Sequence, residues 1–346
     1  MSANRFDTWL DQNGPVAVTI REELEPVMGK DSVFFPPTFA SPKGSDEPPT
    51  YVIDETGAGK IALVDTVGSQ ANRMEPLFKQ EPYSKLVPKV TIKIGERELN
   101  LLDAGHRAAD AVVRFSNKWS TLRDAFLDIR QKGSATALAK VAPTSILFRV
   151  WDSRETQVKL PRLIGSTIRA FKVEKLTRSA QFFAATEKHE IEELGTQDFL
   201  SNVGLDDAPA GRTAGGVVSR GGIQRDAVLN LVALRSLAGD SPEETIQLRR
   251  YILGLALVVL VTPSQRFLRE GCLLVPREGL QAEPKLVERS GEKQVLTDLT
   301  EDAALKYAQE AAAEFVVGAA WTALFDKEAV KKSAEAKKEL KPKKAK

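Results

Sequence analysis

The sequence predicts an α+β fold, a sheet of short strands with helices packed on one face. Three observations carry that expectation. Residues 50–54 and 61–64 are short strand-forming runs flanking Glu55-Thr-Gly-Ala-Gly-Lys60, the pattern of a hairpin with a glycine tip. Residues 90–94 and 99–102 flank Gly95-Glu-Arg-Glu98 in the same way. Ser241-Pro-Glu-Glu then opens a helix, with serine as cap, proline at the first helical position and acids in the first turn.

The other elements follow in order. Residues 14–24 hold a first strand with β-branched enrichment, and 34–49 form a loop rich in proline and glycine. The run from Ile61 to Val64 reads as a buried strand, and Ser69 is expected to cap the helix after it. Asp65 is expected to cap the turn before Ser69. Helical periodicity covers 104–115 and 120–132, with a short third helix at 136–141. Strands are expected at 145–151, 166–173, 228–235 and, as the last one, 273–276. Residues 204–222 contain too many glycines for a regular element and predict a mobile loop. Residues 301–325 form an alanine-rich helix, and 327–346 a lysine-rich, disordered tail. The organisation is one domain over 1–326, with insertions at about 31–60, 88–142 and 204–223.

Composition narrows the function classes. Of 346 residues, 42% are hydrophobic and 28% charged, which permits a sizeable core under a soluble surface. The longest apolar run, 251–261, is too short to span a bilayer, and residues 1–10 lack a signal-peptide pattern. A cytoplasmic protein without membrane contact is the expectation. Cys272 is the single cysteine, which excludes internal disulfides, and its apolar neighbours predict a buried strand position. The net charge of +2 conceals an uneven distribution: the tail from 327 carries nine lysines and three glutamates, so the remainder is net negative. Any nucleic-acid surface must therefore be a local groove.

The stretch from Ile61 to Pro76 carries most of the chemical signal. Ser69, Gln70, Asn72 and Arg73 at a helix start suit a phosphate or a nucleotide edge, and equally a capped helix with a solvated first turn. Gly57-Ala-Gly-Lys60 is not a P-loop: Asp54 and Ile61 stand where glycine and Ser/Thr are required. His106 precedes Arg107, where an RNA contact or a helix-end hydrogen bond competes with acid–base catalysis. His189 lies among acids on a solvated face. Residues 159–178 carry six basic side chains, Arg162 and Arg169 among them, against Glu174 alone. With Arg149 and Arg154 this is the most basic ordered segment. Arg149 and Trp151, two apart on the expected strand, share a face. That pairing serves phosphate and base in single-stranded RNA binding, or leaves a core Trp with Arg over it. Arg212, Arg220 and Arg225 sit in or beside the glycine-rich segment, which reads either as a backbone-contacting loop or as a plain connector. The lysine tail is either a solvated end or a nonspecific nucleic-acid contact.

The run Asp65-Thr-Val-Gly-Ser-Gln-Ala-Asn-Arg-Met-Glu75 resembles the signature of the RAMP-superfamily backbone subunit of type I-U (I-G) CRISPR Cascade complexes. Ala104-Gly-His-Arg-Ala-Ala-Asp-Ala111, Ser145-Ile-Leu-Phe-Arg-Val-Trp-Asp-Ser153, the 162–170 segment, Leu229-Asn-Leu-Val-Ala-Leu-Arg235 and Leu268-Arg-Glu-Gly-Cys-Leu-Leu274 follow in matching order. The resemblance spans roughly 14–276. It implies an RRM-like (ferredoxin-like) palm with an antiparallel sheet, finger and thumb insertions and a C-terminal helix. It implies a non-enzymatic subunit that polymerises head-to-tail along a CRISPR guide RNA and presents it to target DNA. Its other partners would be further Cascade subunits and a recruited helicase-nuclease, in an antiviral complex. The guide contacts expected are Ser69, Gln70, Asn72, Arg73, His106, Arg107, Arg149, Arg154, Arg162, Arg169, Arg212 and Arg220, with no catalytic residue, metal or cofactor. The alternative is a RAMP-type endoribonuclease that processes precursor guide RNA.

Overall fold

The computed structural model describes residues 4–41, 43–44, 48–263 and 267–339. β1 (Ala17–Pro26) alternates in burial, with Val18, Ile20, Glu22 and Leu24 inward. That period of two marks a strand with one covered face. The hairpin β2 (Ile53–Thr56) and β3 (Gly59–Asp65) follows, and the chain passes directly into α1 (Val67–Met74). Next come α2 (Trp119–Lys132) and β4 (Ile164–Phe171), then a long antiparallel hairpin of β5 (Val173–Phe182) and β6 (Ala208–Ser219). β7 (Ile223–Asn230), α3 (Pro242–Val261), β8 (Cys272–Pro276) and α4 (Glu301–Phe315) complete the main elements.

The main sheet runs Phe267–Arg269, β8, β1, β7, β4, β3, β2, with every neighbour antiparallel. The outer edge of β1 is shared: Leu24–Pro26 pair with β8, while Ala17–Ile20 pair with Pro284–Val287. One strand with two partners on one edge curls the sheet. The fold class is therefore mixed α+β, as expected. A separate small sheet joins Trp321–Leu324 in parallel to Val90–Ile94, which pairs with Arg97–Asn100.

α3 is apolar on nearly all sides and lies in the middle of the main core. Ser241 caps it and Pro242 takes its first turn, as the sequence predicts. Gly254 lets α4 come close: a Cβ there would sit 2.7 Å from Ala308 Cα. A second apolar cluster holds Leu24, Ala62, Val64, Ile168, Ile223 and Cys272. Between the two clusters the inward face of the sheet is polar. Arg225 Nη1 approaches Glu22 Oε2 at 3.4 Å, its Nε donates to Ser166 Oγ at 3.0 Å, and Ser166 donates to Gln70 Oε1 at 2.8 Å. Gln70 Nε2 donates in turn to Asp65 Oδ2 at 2.6 Å. All five residues are buried, so a continuous polar belt crosses the interior and pins α1 to β4 and β7.

Several expectations are corrected. Residues 145–151 are not a strand: Pro143–Phe148 form a short helix, every residue of it buried. The glycine-rich 204–222 segment is no loop, because Ala208–Ser219 is paired strand. Gly215 is where the two strands meet closely: a Cβ there would lie 2.4 Å from the Thr177 backbone. The 228–235 strand stops at Asn230, whose side chain caps the helix Leu231–Arg235. The 104–115 helix is broken into the 3-10 turn Arg107–Ala109 and the short helix Ala111–Arg114. β8 is not the last strand, and the helix expected over 301–325 ends at Phe315, after which Trp321–Leu324 is extended. Lys327–Glu339 of the tail is helical rather than disordered, and 340–346 lie outside the described residues.

Candidate nucleic-acid interface

α1 is capped one turn-step earlier than expected. Thr66, not Ser69, is the cap: its Oγ1 accepts from the Ser69 N–H at 3.0 Å. Asp65 caps nothing. Its buried carboxylate accepts from Gln70 and from Arg73 Nε at 3.1 Å, and Arg269 Nη2 lies 3.6 Å away. Arg73 also donates to the Leu268 carbonyl at 2.6 Å. Gln70 and Arg73 therefore face inward and hold the helix to the sheet. Ser69 is half-buried and Asn72 exposed, the latter accepting from Arg107 Nη2 at 3.2 Å.

Arg107 is buried, its Nε 2.8 Å from Glu75 Oε2 and its guanidinium 5.4 Å from the Phe148 ring centroid. Burial raises the Glu75 carboxyl to about 7, although the attraction of Arg107 and a hydrogen bond from Thr144 pull the other way. Arg162 donates to the Val67 carbonyl at 3.3 Å, at the exposed start of α1. Its pKa is lowered first by burial, then by repulsion from Arg107 and Arg149, with Glu75 opposing. Arg162 thus reaches the first turn of α1 and Arg107 its last, and Arg107 and Arg149 both lie near enough to Arg162 to repel it. Arg107 and Arg149 both adopt positive φ, 54° and 82°, which costs a non-glycine residue about 1–3 kcal/mol. Arg149 and His106 are exposed, and the His106 backbone N–H is held by Asp110 at 3.1 Å.

The Glu75 shift has a measurable sign. A carboxyl raised above its ordinary value binds its proton more tightly when folded. Its contribution is therefore fully present below about pH 4.5 and falls away as pH rises to about 7. The shift corresponds to about 3 kcal/mol. Glu75→Gln is expected to flatten the stability profile over that window relative to wild type, measured by urea unfolding at successive pH values.

The chain beyond Arg149 forms a braced loop. Asp152 N donates to the Val158 carbonyl at 2.9 Å, and Leu160 N to the Val150 carbonyl at 3.0 Å. The Asp152 carboxylate accepts from the backbone N–H groups of Arg154, Glu155 and Thr156 and from the Thr156 hydroxyl. Burial pushes this carboxyl up, but the Thr156, Arg154 and Glu155 bonds outweigh it, and the net shift is downward. Trp151 is not a core residue; it is 52% exposed, with Lys159 Nζ 5.5 Å from its ring centroid. Arg154 is exposed on the same loop.

The remaining expected contacts lie elsewhere. Arg169 is on the outward face of β4, bonded to Thr167 Oγ1 at 2.8 Å. Arg220 pairs with Glu174 at 3.1 Å and Asp31 at 3.5 Å. Arg212 is on β6, and its side chain lies outside the described residues. Arg225 is not at the surface at all but in the polar belt. The sequence therefore brings Asn72, His106, Arg107, Arg149 and Arg162 to one place around α1. It does not bring Arg169 or Arg220 there.

Sequence reasoning missed Thr66, Glu75 and Arg269. The Thr66 signal was available: a threonine three positions before Ser69 has the cap-to-N3 spacing. Glu75 and Arg269 had none, since their partners are remote in the chain. Among the described residues no His, Cys, Asp and Glu side chains gather in a set able to hold a metal ion, and no helix is long and apolar enough to cross a membrane.

No curated protein matches the chain. Residues 18–175 match the family model described as CRISPR-associated protein GSU0053 (Cas_GSU0053). That span contains α1 and every member of the arginine cluster, and the match supports a CRISPR-associated protein.

Proposed function

We propose that the chain is an RNA-binding backbone subunit of a CRISPR interference complex, holding guide RNA through its phosphates. The observation that carries this is the cluster of Arg107, Arg149 and Arg162 along α1, with one buried acid, Glu75, against three cations. Guanidiniums in that setting suit phosphate rather than a further carboxylate. Two of them, Arg107 and Arg149, sit at strained φ, a feature found often at binding sites.

The strand order supports an RRM-like palm. β1, β4, β7 and β8 stand in the sheet as β8-β1-β7-β4, with helices in the β1–β4 and β7–β8 connections. That is a β-α-β-β-α-β arrangement. The β5–β6 hairpin is then an insertion between the second and third strands, suited to the thumb. Contacts to phosphate and ribose leave base edges free for target DNA. Head-to-tail contacts between copies would give an open filament along the guide.

Mixing the protein with a long single-stranded RNA is expected to yield a multi-copy particle, read by mass photometry, that protects the RNA from nuclease. A strict one-to-one complex would remove the filament. In this reading the protein is not an enzyme. Precursor RNA is expected to stay intact; discrete cleavage abolished by His106→Ala would favour the endoribonuclease instead.

A further inference from the structure

We propose that Trp151 is a stacking platform for an unpaired nucleobase, with Arg149 on the adjacent phosphate; this rests on the RNA-binding reading above. The indole is among the largest exposed apolar side chains, at 52%, on a loop that is otherwise tightly bonded. An exposed ring on a rigid support is costly to leave in water and cheap to use, because ordering it costs little on binding. Exposure alternates along the chain: Arg149 and Trp151 out, Val150 and Asp152 in. Both the guanidinium and the ring therefore reach solvent on either side of the buried Val150.

Lys159 fixes what the ring can accept. Its ammonium lies over the ring at 5.5 Å and the two residues are bridged across the loop. With one ring face covered by a cation, the open face takes a flat π-system. The neighbouring positive charges of Arg149, Arg154 and Lys159, all exposed, favour a polyanion carrying it. A carbohydrate or an apolar peptide would satisfy the ring but not the charges. A nucleotide satisfies both. Recognition of this kind depends on π area, so purines are preferred to pyrimidines.

Trp151 fluorescence reports the contact, because Trp9 is buried and Trp119 and Trp321 are half-buried. Titration with oligoadenylate is expected to quench it, and an abasic strand of equal length is not. Oligouridylate should quench less. Trp151→Ala should weaken oligoadenylate binding by about 5- to 100-fold and leave the abasic strand's affinity unchanged. Trp151→Phe should retain most of the binding while losing the fluorescence response. Equal affinity of Trp151→Ala and wild type for oligoadenylate, while Arg149→Ala binds weakly, overturns the platform and leaves the RNA reading standing. Absence of binding to either strand by wild type overturns both. Loss of self-association in Trp151→Ala with RNA affinity unchanged would place the ring against a protein neighbour, and would also overturn the platform.

Discussion

Replacing Arg225 with alanine is expected to cost about 3–5 kcal/mol of folding stability, a large part of the 5–15 kcal/mol that holds a typical domain. Arg225 is 5% exposed and joins β7 to β1 through Glu22 and to β4 through Ser166. Its removal takes a cation from beside the buried Glu22 carboxylate and opens the belt that runs on through Gln70 to Asp65. Replacing Glu22 and Arg225 together by apolar residues of similar volume should cost less, because both buried charges are removed at once. Urea unfolding of the single and paired variants reads this coupling directly. Equal losses in both would mean that the belt acts by shape alone.

Loss of two arginines from the α1 cluster is expected to have the largest effect on binding. Arg149→Ala with Arg162→Ala should lower affinity for single-stranded RNA on the order of 100-fold, from two charge-assisted contacts of about 1.5 kcal/mol each. The slope of log affinity against log salt should flatten by about 1.4, since each phosphate on a single strand contributes about 0.7. Stability should hold. Arg149→Gly makes the point more sharply: at φ 82° glycine relieves strain, so that variant should unfold no more easily than wild type while binding RNA less well. An unchanged affinity and slope would put the RNA surface elsewhere. Arg73→Ala is a poor probe by comparison. From the sequence, Arg73→Ala together with Asn72→Ala is expected to weaken binding without unfolding the protein, but Arg73 holds the buried Asp65 and the 267–268 backbone.

What the sequence made legible was local. The 53–65 hairpin and the 242–261 helix were readable because a glycine turn and a Ser-Pro cap announce themselves within a few residues. The apolar run from Ser145 to Phe148 was misread because a short buried helix and a buried strand look alike, and Pro143 was the only discriminating sign. The glycines of 211–222 suggested freedom; in the structure Gly215, Gly216 and Gly221 mark close approach to Thr177, Val33 and Phe171, all remote in the chain. The same limit governs the site. Gln70 and Arg73 have the chemistry of ligand-binding groups, but their partners at Ser166 and Leu268 are invisible to local reading. Arg107, Arg149 and Arg162 were named from the resemblance and from basic composition, whereas their convergence on α1 is a property of the fold.

The long β5–β6 hairpin leaves the main sheet and returns to it at neighbouring points: Phe171 N donates to the Gly222 carbonyl at 3.0 Å. Its base is packed, with Val173 and Val217 buried and Tyr51 accepting from the Gly216 N–H, while most of β5 beyond Val173 is exposed. The palm therefore does not depend on how far this excursion extends. Closure entropy grows by only about 0.6 kcal/mol for each doubling of a flexible loop. Evolution or an engineer can lengthen, trim or re-tip the outer part as a separate module, tuning reach without renegotiating the architecture that carries it.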